Sequence, residues 1–231
     1  MNSSLALKSL AGIGGVLAAT GAAIGIPKLL EDKRQLISKL IEIHNPKKRL
    51  ITATSLDDPS WKKSWEAYRK ANKDAAKGKD TFQLPDWSGP ISESISEVSA
   101  VQSLLNACSS NSKKKSSLDS PLYQDVLKYC TRDTLISDLL KESGRKLLSK
   151  TRNNANSAEW RGVWAAYVKV NTENTGDAWG ISSYQTEKAK SGDSFSVSDD
   201  FMTKCESKLA SSSIEDKTLL DQVKSWCTIE Q

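Results

Sequence analysis

Histidine is nearly absent from this sequence, and so are the short motifs that mark common enzyme families. His44 is the only histidine, and with no cysteine near it in the sequence, it cannot be recognised as the base of a Cys–His nucleophilic pair. There is no G-x-x-x-x-G-K-[ST] phosphate loop, no G-x-S-x-G turn and no H-E-x-x-H zinc motif. The sequence therefore predicts a protein without catalytic residues and without a cofactor.

Cysteine is scarce too, with four residues in a chain of 231. A structural zinc site needs four ligands, which are mostly Cys and His at characteristic spacings. The sequence contains no C-x-x-C pair and no second histidine. No metal site is therefore predicted.

A folded basic patch of the kind that binds nucleic acid is also missing. The net charge is +5, but residues 1–50 hold eight of the 33 Lys and Arg residues and three of the 28 Asp and Glu residues, which leaves 25 of each in residues 51–231. A nucleic-acid module carries its positive charge on the folded domain. The neutral body therefore predicts no nucleic-acid partner.

The one long apolar run lies at the amino terminus, where residues 9–27 contain no charged side chain. As a helix it would be about 28 Å long, close to the roughly 30 Å hydrocarbon core of a bilayer. We expect residues 1–27 to be an uncleaved membrane anchor, with a cleaved signal peptide and a buried helix as alternatives. Small residues recur in it at four-residue spacing, which would permit self-association of two such helices: Gly14, Ala18 and Ala22, and Gly21 with Gly25.

A basic amphipathic segment follows at residues 28–50. Apolar residues recur at helical spacing between 28 and 44, and they are Leu29, Leu30, Leu36, Ile37, Leu40 and Ile41. Such a helix could rest on an anionic membrane surface, or its apolar face could pack on the body of the protein. The sequence leaves both alternatives open.

The pattern Trp-x3-Trp-x2-Tyr occurs twice, as WKKSWEAY at 61–68 and as WRGVWAAY at 160–167. This spacing places all three rings on one face of a helix. An aromatic stripe at helical spacing is more often core than contact surface. We therefore interpret the six residues as core anchors of two related helices: Trp61, Trp65 and Tyr68, and Trp160, Trp164 and Tyr167.

The four cysteines extend this correspondence. Cys108 and Cys130 are 22 residues apart, as are Cys205 and Cys227, and LYQDVLKYCT at 122–131 matches LLDQVKSWCT at 219–228. We predict a mainly α fold with an N-terminal apolar helix and two tandem, sequence-related helical repeats, at 51–144 and 145–231. Each repeat would carry a Cys-bearing helical hairpin, with helices near 92–108 and 121–142 and near 199–210 and 214–227.

The duplication favours one disulfide within each repeat, although four cysteines allow three connectivities. Disulfides would place the body outside the cell. Free cysteines packed as small core residues are the alternative. The basic flank at 28–50 favours a cytoplasmic body instead, because the positive-inside rule would hold this flank in the cytoplasm. Long domains, however, translocate largely regardless of flank charge, so the cysteines decide for an extracellular body.

The Gly/Ala-rich apolar segment, the W-x3-W-x2-Y helices and the Cys-containing helices ending in K-Y-C-T and S-W-C-T together resemble uncharacterised paralogous protein families of haemotropic mycoplasmas. The likeness covers nearly the whole chain but includes no catalytic motif. It implies a wall-less bacterium that lives on red blood cells, with surface-displayed, antigenically variable proteins.

We therefore expect a protein held in the cell membrane by a single N-terminal anchor, with an extracellular body and no catalysis. Its role would be host interaction or antigenic display, and its partners would be membrane lipid and a host-cell surface protein. The alternative is an interaction or scaffold protein tethered on the cytoplasmic face, with a surface hydrolase as a distant third.

Overall fold

Helices form most of the regular structure in the computed structural model, which describes residues 34–172, 176–182, 184–190 and 195–231. In these ranges the helices are α1 (Ile37–His44), α2 (Pro59–Ala71), α3 (Gln102–Ser112), α4 (Pro121–Tyr129), α5 (Ile136–Glu142), α6 (Ala158–Val170), α7 (Tyr184–Glu187), α8 (Asp199–Leu209) and α9 (Lys217–Trp226). The strands are β1 (Gln35–Leu36), β2 (Lys48–Leu50), β3 (Lys115–Ser116), β4 (Thr131–Asp133), β5 (Arg145–Leu147) and β6 (Thr228–Glu230). The predicted mainly α fold is confirmed, and the expected apolar helix at 1–27 lies outside the described residues.

Local sequence signals explain where the principal helices begin. The side chain of Asp58 accepts a hydrogen bond from the Ser60 amide over 2.8 Å at the start of α2, and Pro59 occupies the first turn. Ser157 caps α6 in the same way, and Ser120 caps α4. These caps satisfy amides that a helix leaves without intrahelical partners.

The six strands form three separate antiparallel ribbons, each of two strands, because β1 pairs with β3, β2 with β4 and β5 with β6. In the second ribbon Leu50 lies opposite Thr131, and in the third Leu147 lies opposite Thr228. In each of these two ribbons, the later strand directly follows the second cysteine of a pair, Cys130 or Cys227. It pairs with a strand that lies about 80 residues earlier in the chain.

Two hydrophobic cores organise residues 34–231, which form one compact unit. The first core takes its buried residues from Ile37 to Cys130 and the second takes its own from Ile136 to Cys227. We call residues 34–134 the first half and residues 135–231 the second half. The change of core falls in the short link between β4 and α5.

Two of the predicted helices differ from the observed ones. The helix expected over 121–142 is divided into α4 and α5, because Thr131–Asp133 leave the helix to pair with Lys48–Leu50. The helix expected near 92–108 begins only at Gln102. The preceding segment has no regular secondary structure, and the Ala100 amide bonds to the Leu56 carbonyl over 2.9 Å.

The segment after the apolar run packs on the body. Ile37, Leu40 and Ile41 on α1 are at most 5% exposed and belong to the first core. A strand, Gln35–Leu36, precedes the helix, so α1 is shorter than the helix predicted over 28–44. Of the two alternatives, a membrane surface or the body of the protein, these three residues therefore contact the body of the protein.

Candidate functional site

Both cysteine pairs form disulfides, which confirms that prediction. Cys108 is bonded to Cys130 and Cys205 to Cys227, with Cα–Cα distances of 5.3 and 5.4 Å. All four residues are at most 4% exposed. Each bond ties one helix, α3 or α8, to the end of the next, α4 or α9. The pairing therefore closes a loop within one half and does not link the halves.

The W-x3-W-x2-Y side chains lie in the two cores beside these disulfides. All six are 8% exposed or less. Trp65 stacks on Tyr68 with ring centroids 5.7 Å apart, and Trp164 stacks on Tyr167 at 5.6 Å. The two tyrosine rings also contact the aromatic residue that precedes the second cysteine, at 5.0 Å for Tyr129 and 4.8 Å for Trp226. The rings of Trp65, Tyr68, Trp164 and Tyr167 are therefore packed against other rings of the cores.

A buried polar network surrounds Tyr68. Its hydroxyl donates to Asp80 over 2.5 Å and accepts a bond from the Phe82 amide over 2.7 Å. Asp80 in turn accepts from the Leu84 amide over 2.9 Å, and the Asn72 side chain bridges the Tyr68 carbonyl and the Thr81 amide, both over 2.8 Å. The network holds the irregular segment after α2 against the core.

The second half contains the same network. The Tyr167 hydroxyl donates to Asp177 and accepts from the Trp179 amide over 3.0 Å, and Asp177 accepts from the Ile181 amide. Asn171 bonds to the Tyr167 carbonyl and the Ala178 amide, both over 2.8 Å. Trp179 therefore occupies the position of Phe82.

Sequence reasoning missed the two aspartates and the two asparagines. The available signal was an Asn four residues after each Tyr and an Asp two residues before an aromatic residue, in Asp80-x-Phe82 and Asp177-x-Trp179. Burial, and then the bond to the aspartate, raises the pKa of Tyr68 and of Tyr167 well above the ordinary value. Both hydroxyls therefore stay protonated at neutral pH and serve as hydrogen-bond donors.

A cleft of about 500 Å³ opens beside the first disulfide. Its polar lining comes from hydroxyl and amide side chains, including Thr52, Gln102, Asn106 and Ser109, over Trp61. No ionisable side chain is among its described lining residues, since Cys108 and Cys130 are joined in the disulfide. General acid or base catalysis therefore has no group to use there.

The corresponding cleft of the second half is smaller, at about 410 Å³, and is crossed by a charged side chain. The Lys150 ammonium lies 2.8 Å from Asp199 and 2.9 Å from the Thr203 hydroxyl. Ala53 stands at the matching place in the first half. Of the two carboxylates in this cleft, Asp199 is therefore occupied by an ion pair, and Glu206 accepts a hydrogen bond from the Lys150 amide over 3.3 Å.

A third cleft, of about 520 Å³, contains three carboxylates. Glu42 is paired with the Lys39 ammonium over 3.0 Å, and the other two are paired with guanidinium groups. Arg49 donates to Glu142 over 2.9 and 3.1 Å, and Arg132 donates to Asp138 over 2.6 and 2.9 Å. Burial alone would raise the pKa of Asp138, but the bonds from Arg132 and the Leu135 amide hold it below its usual range. An ionised, doubly bonded carboxylate is poorly suited to act as a general acid.

Neither a metal site nor a spanning helix appears in the part of the chain that the structure describes. No group of three or more His, Cys, Asp or Glu side chains there could hold a metal ion. No helix there is long and apolar enough to cross a bilayer. The small residues proposed for helix packing, Gly14, Ala18, Ala22, Gly21 and Gly25, lie outside the described residues.

Comparison of the chain with protein-family models, with curated proteins and with solved structures finds no match. The resemblance to the protein families of haemotropic mycoplasmas therefore stays a prediction.

Proposed function

We propose that this protein is a membrane-anchored, surface-exposed, non-enzymatic protein, whose body faces outward for host contact or antigenic display. The observation that carries the proposal is the pair of buried disulfides, one in each core. Disulfides form and persist mainly in oxidising surroundings outside the cytoplasm. The uncharged run at 9–27 supplies the anchor that would retain such a body at the cell.

The non-enzymatic part of the proposal is supported by the hydrogen bonds and ion pairs that the polar side chains make. The buried tyrosines and aspartates hydrogen-bond to each other and to backbone amides. Of the carboxylates in the third cleft, Glu142 and Asp138 are held by arginines and Glu42 by Lys39. The groups that could otherwise perform acid–base chemistry therefore support the fold.

We propose further that the two halves are copies of one ancestral unit. The Ile51 amide bonds to the Cys130 carbonyl over 2.9 Å, and the Leu148 amide bonds to the Cys227 carbonyl over the same distance, 97 residues further along the chain. The hydrogen-bond networks around Tyr68 and Tyr167 show the same correspondence between side chains of the two halves. Independent origin of so many equivalent contacts would require repeated coincidence.

The contacts favour an earlier start for each unit than residues 51 and 145. α1 reads ISKLI at 37–41 and α5 reads ISDLL at 136–140, and each helix contributes to the core of its own half. A fragment covering 35–134 should therefore fold with its disulfide, whereas a fragment covering 51–144 would lack α1 and β2. Circular dichroism of the two oxidised fragments compares them, and equal stability would contradict this boundary.

Protease treatment of intact cells tests the location. Exposure of the body predicts that trypsin releases fragments of residues 51–231 before the cells are permeabilised. Mass spectrometry without reduction should then find Cys108 linked to Cys130 and Cys205 linked to Cys227. Permeabilised cells are the control for the cleavability of the body.

The opposite result would favour the cytoplasmic scaffold. In that case the body would be protected until the cells are permeabilised, and alkylation before lysis would find four free thiols. Such an outcome would reject the surface-exposed role, while the buried position of the cysteines in the two cores would remain compatible with reduced side chains.

A further inference from the structure

The first ribbon brings two distant basic parts of the chain together. β1 lies opposite β3, with Gln35 across from Ser116 and Leu36 across from Lys115. The Ile37 amide also bonds to the Lys114 carbonyl over 3.0 Å. The polar loop at 113–115, about 80 residues away in sequence, therefore lies where the described chain begins.

This corner of the molecule exposes large apolar side chains. Leu36 is 44% exposed, Ile43 is 51% exposed and Leu118 is 40% exposed. They are three of the five exposed large apolar residues in the described ranges. Ile43 lies about two helical turns beyond Leu36, and Leu118 lies three residues beyond the strand partner of Leu36. Apolar residues concentrated in this way mark a contact surface more often than residues scattered singly.

Three lysines border these apolar side chains, and we call Leu36, Ile43, Lys113, Lys114, Lys115 and Leu118 the basic corner. The three lysines are exposed, and no ion pair involves them within the described ranges. Because Leu36 and Lys115 are cross-strand partners, their side chains project from the same face of the ribbon. An apolar group and an ammonium group are thereby presented side by side.

Few carboxylates offset this positive charge. Glu42 is paired with Lys39 over 3.0 Å. Asp119 is exposed, and the hydrogen bond from Ser117, 2.6 Å long, lowers its pKa, so it stays ionised at neutral pH. Within the described ranges, the three lysines against one free carboxylate leave the basic corner positive.

Chain geometry limits how far the basic corner can lie from the apolar run. Arg34 is seven positions after Pro27 in the chain. An extended chain advances at most about 3.6 Å per residue, so the distance cannot exceed roughly 25 Å. If residues 9–27 span a bilayer, the basic corner lies within reach of its headgroups.

We propose that the basic corner binds the anionic phospholipid headgroups of the membrane that holds the anchor. Lys113, Lys114 and Lys115 would contact the phosphates, while Leu36, Ile43 and Leu118 enter the interface between headgroups and acyl chains. This inference rests on the anchoring in the proposed function, but not on which side of the membrane the body occupies. The contact would orient the body and direct its remaining surface away from the membrane.

Amine labelling of the full chain in lipid vesicles tests the proposal. The protein is reconstituted into vesicles of phosphatidylcholine alone or with phosphatidylglycerol, and outward-facing molecules are labelled with a membrane-impermeant acylating reagent. Because each lysine near an anionic surface contributes about fivefold to binding, labelling of Lys113, Lys114 and Lys115 should fall about fivefold or more in the anionic vesicles. High salt should restore labelling, because it screens the attraction.

Lys73, Lys77 and Lys79 provide the matched control, because they are exposed in the same half but lie on a different segment. Their labelling should be equal in the two kinds of vesicle. The triple variant K113Q/K114Q/K115Q should remove the lipid dependence of amide hydrogen exchange at 34–43, and K73Q/K77Q/K79Q should preserve it.

Equal labelling of the three lysines in both kinds of vesicle would overturn the proposal. The proposal would also be overturned if the three lysines were protected from labelling only when a soluble sulfated polysaccharide is added, since this would identify a different anionic partner. Neither result depends on protease accessibility in cells. Failure of the lipid contact is therefore distinguishable from failure of the surface-exposed role.

Discussion

Replacing Tyr68 by Phe removes one buried hydroxyl that joins two segments of the first core. This hydroxyl donates to Asp80 over 2.5 Å and accepts from the Phe82 amide over 2.7 Å. A hydrogen bond to a charged group contributes about 1.5–3 kcal/mol, and a buried donor without an acceptor costs about 1–3 kcal/mol. Because Phe82 is only partly buried, its amide contributes at the lower end, and we expect Y68F to lower the free energy of unfolding by about 3 kcal/mol.

Y123F is the matched control for this substitution. Tyr123 is 3% exposed, and within the described residues its hydroxyl is bonded to the side chain of Asn45. Removing a hydrogen bond between neutral groups should cost about 1 kcal/mol. The two variants thus delete the same atom from the same residue type in the same core, with different partners.

Urea denaturation of the oxidised protein, followed by tryptophan fluorescence and circular dichroism, measures both changes. An unchanged slope with a lower midpoint would show that stability has changed and that the exposed surface on unfolding has not. Hydrogen exchange at the Phe82 and Leu84 amides should accelerate in Y68F. The reasoning is refuted if Y68F loses no more stability than Y123F.

Three further predictions concern other features. Replacing Cys108 and Cys130 by Ala should cost about 3 kcal/mol in chain entropy for a 22-residue loop, and a urea midpoint equal to that of the parent would contradict this. Burial raises the pKa of Tyr68 and Tyr167 above 10.0 in the folded state. The free energy of unfolding should therefore be constant with respect to these groups below pH 10 and should fall above pH 10, by up to about 1.4 kcal/mol per pH unit for each tyrosine. Thermal melts between about pH 8 and 12 measure this loss, and a flat profile would argue against it. D58A removes the cap of α2 and should cost about 1 kcal/mol in the same urea assay, whereas D58N should cost less.

The fold was predictable where the signal is local. The W-x3-W-x2-Y spacing placed three rings on one helical face because the period of a helix is set by its backbone, and all six rings are buried. The caps Asp58 and Ser157 are equally local, because a cap bonds to amides two or three residues away. The cysteine spacing suggested pairing within each half, although it could not exclude the other connectivities.

The rest depended on contacts between residues far apart in the chain. The helix expected over 121–142 breaks because Thr131–Asp133 pair with β2, whose residues are more than 80 positions earlier. Asp80 and Asp177 appeared as ordinary polar residues in irregular segments, and their role depends on the tyrosine hydroxyls that face them in the cores. Hydrophobic periodicity does not indicate that β4 pairs with β2 or that the aspartates bond to the tyrosines.

The sequence by itself determined the helical faces, the capped helix starts and the equal spacing of the two cysteine pairs, because each depends on backbone periodicity or on neighbours within a few residues. Only the tertiary structure decided that α1 belongs to the first core and that Lys115 lies opposite Leu36. Both outcomes arise from pairing β1 with β3 and burying Ile37, Leu40 and Ile41. Such pairings depend on which distant segments can satisfy each other's backbone hydrogen bonds and cover each other's apolar surface.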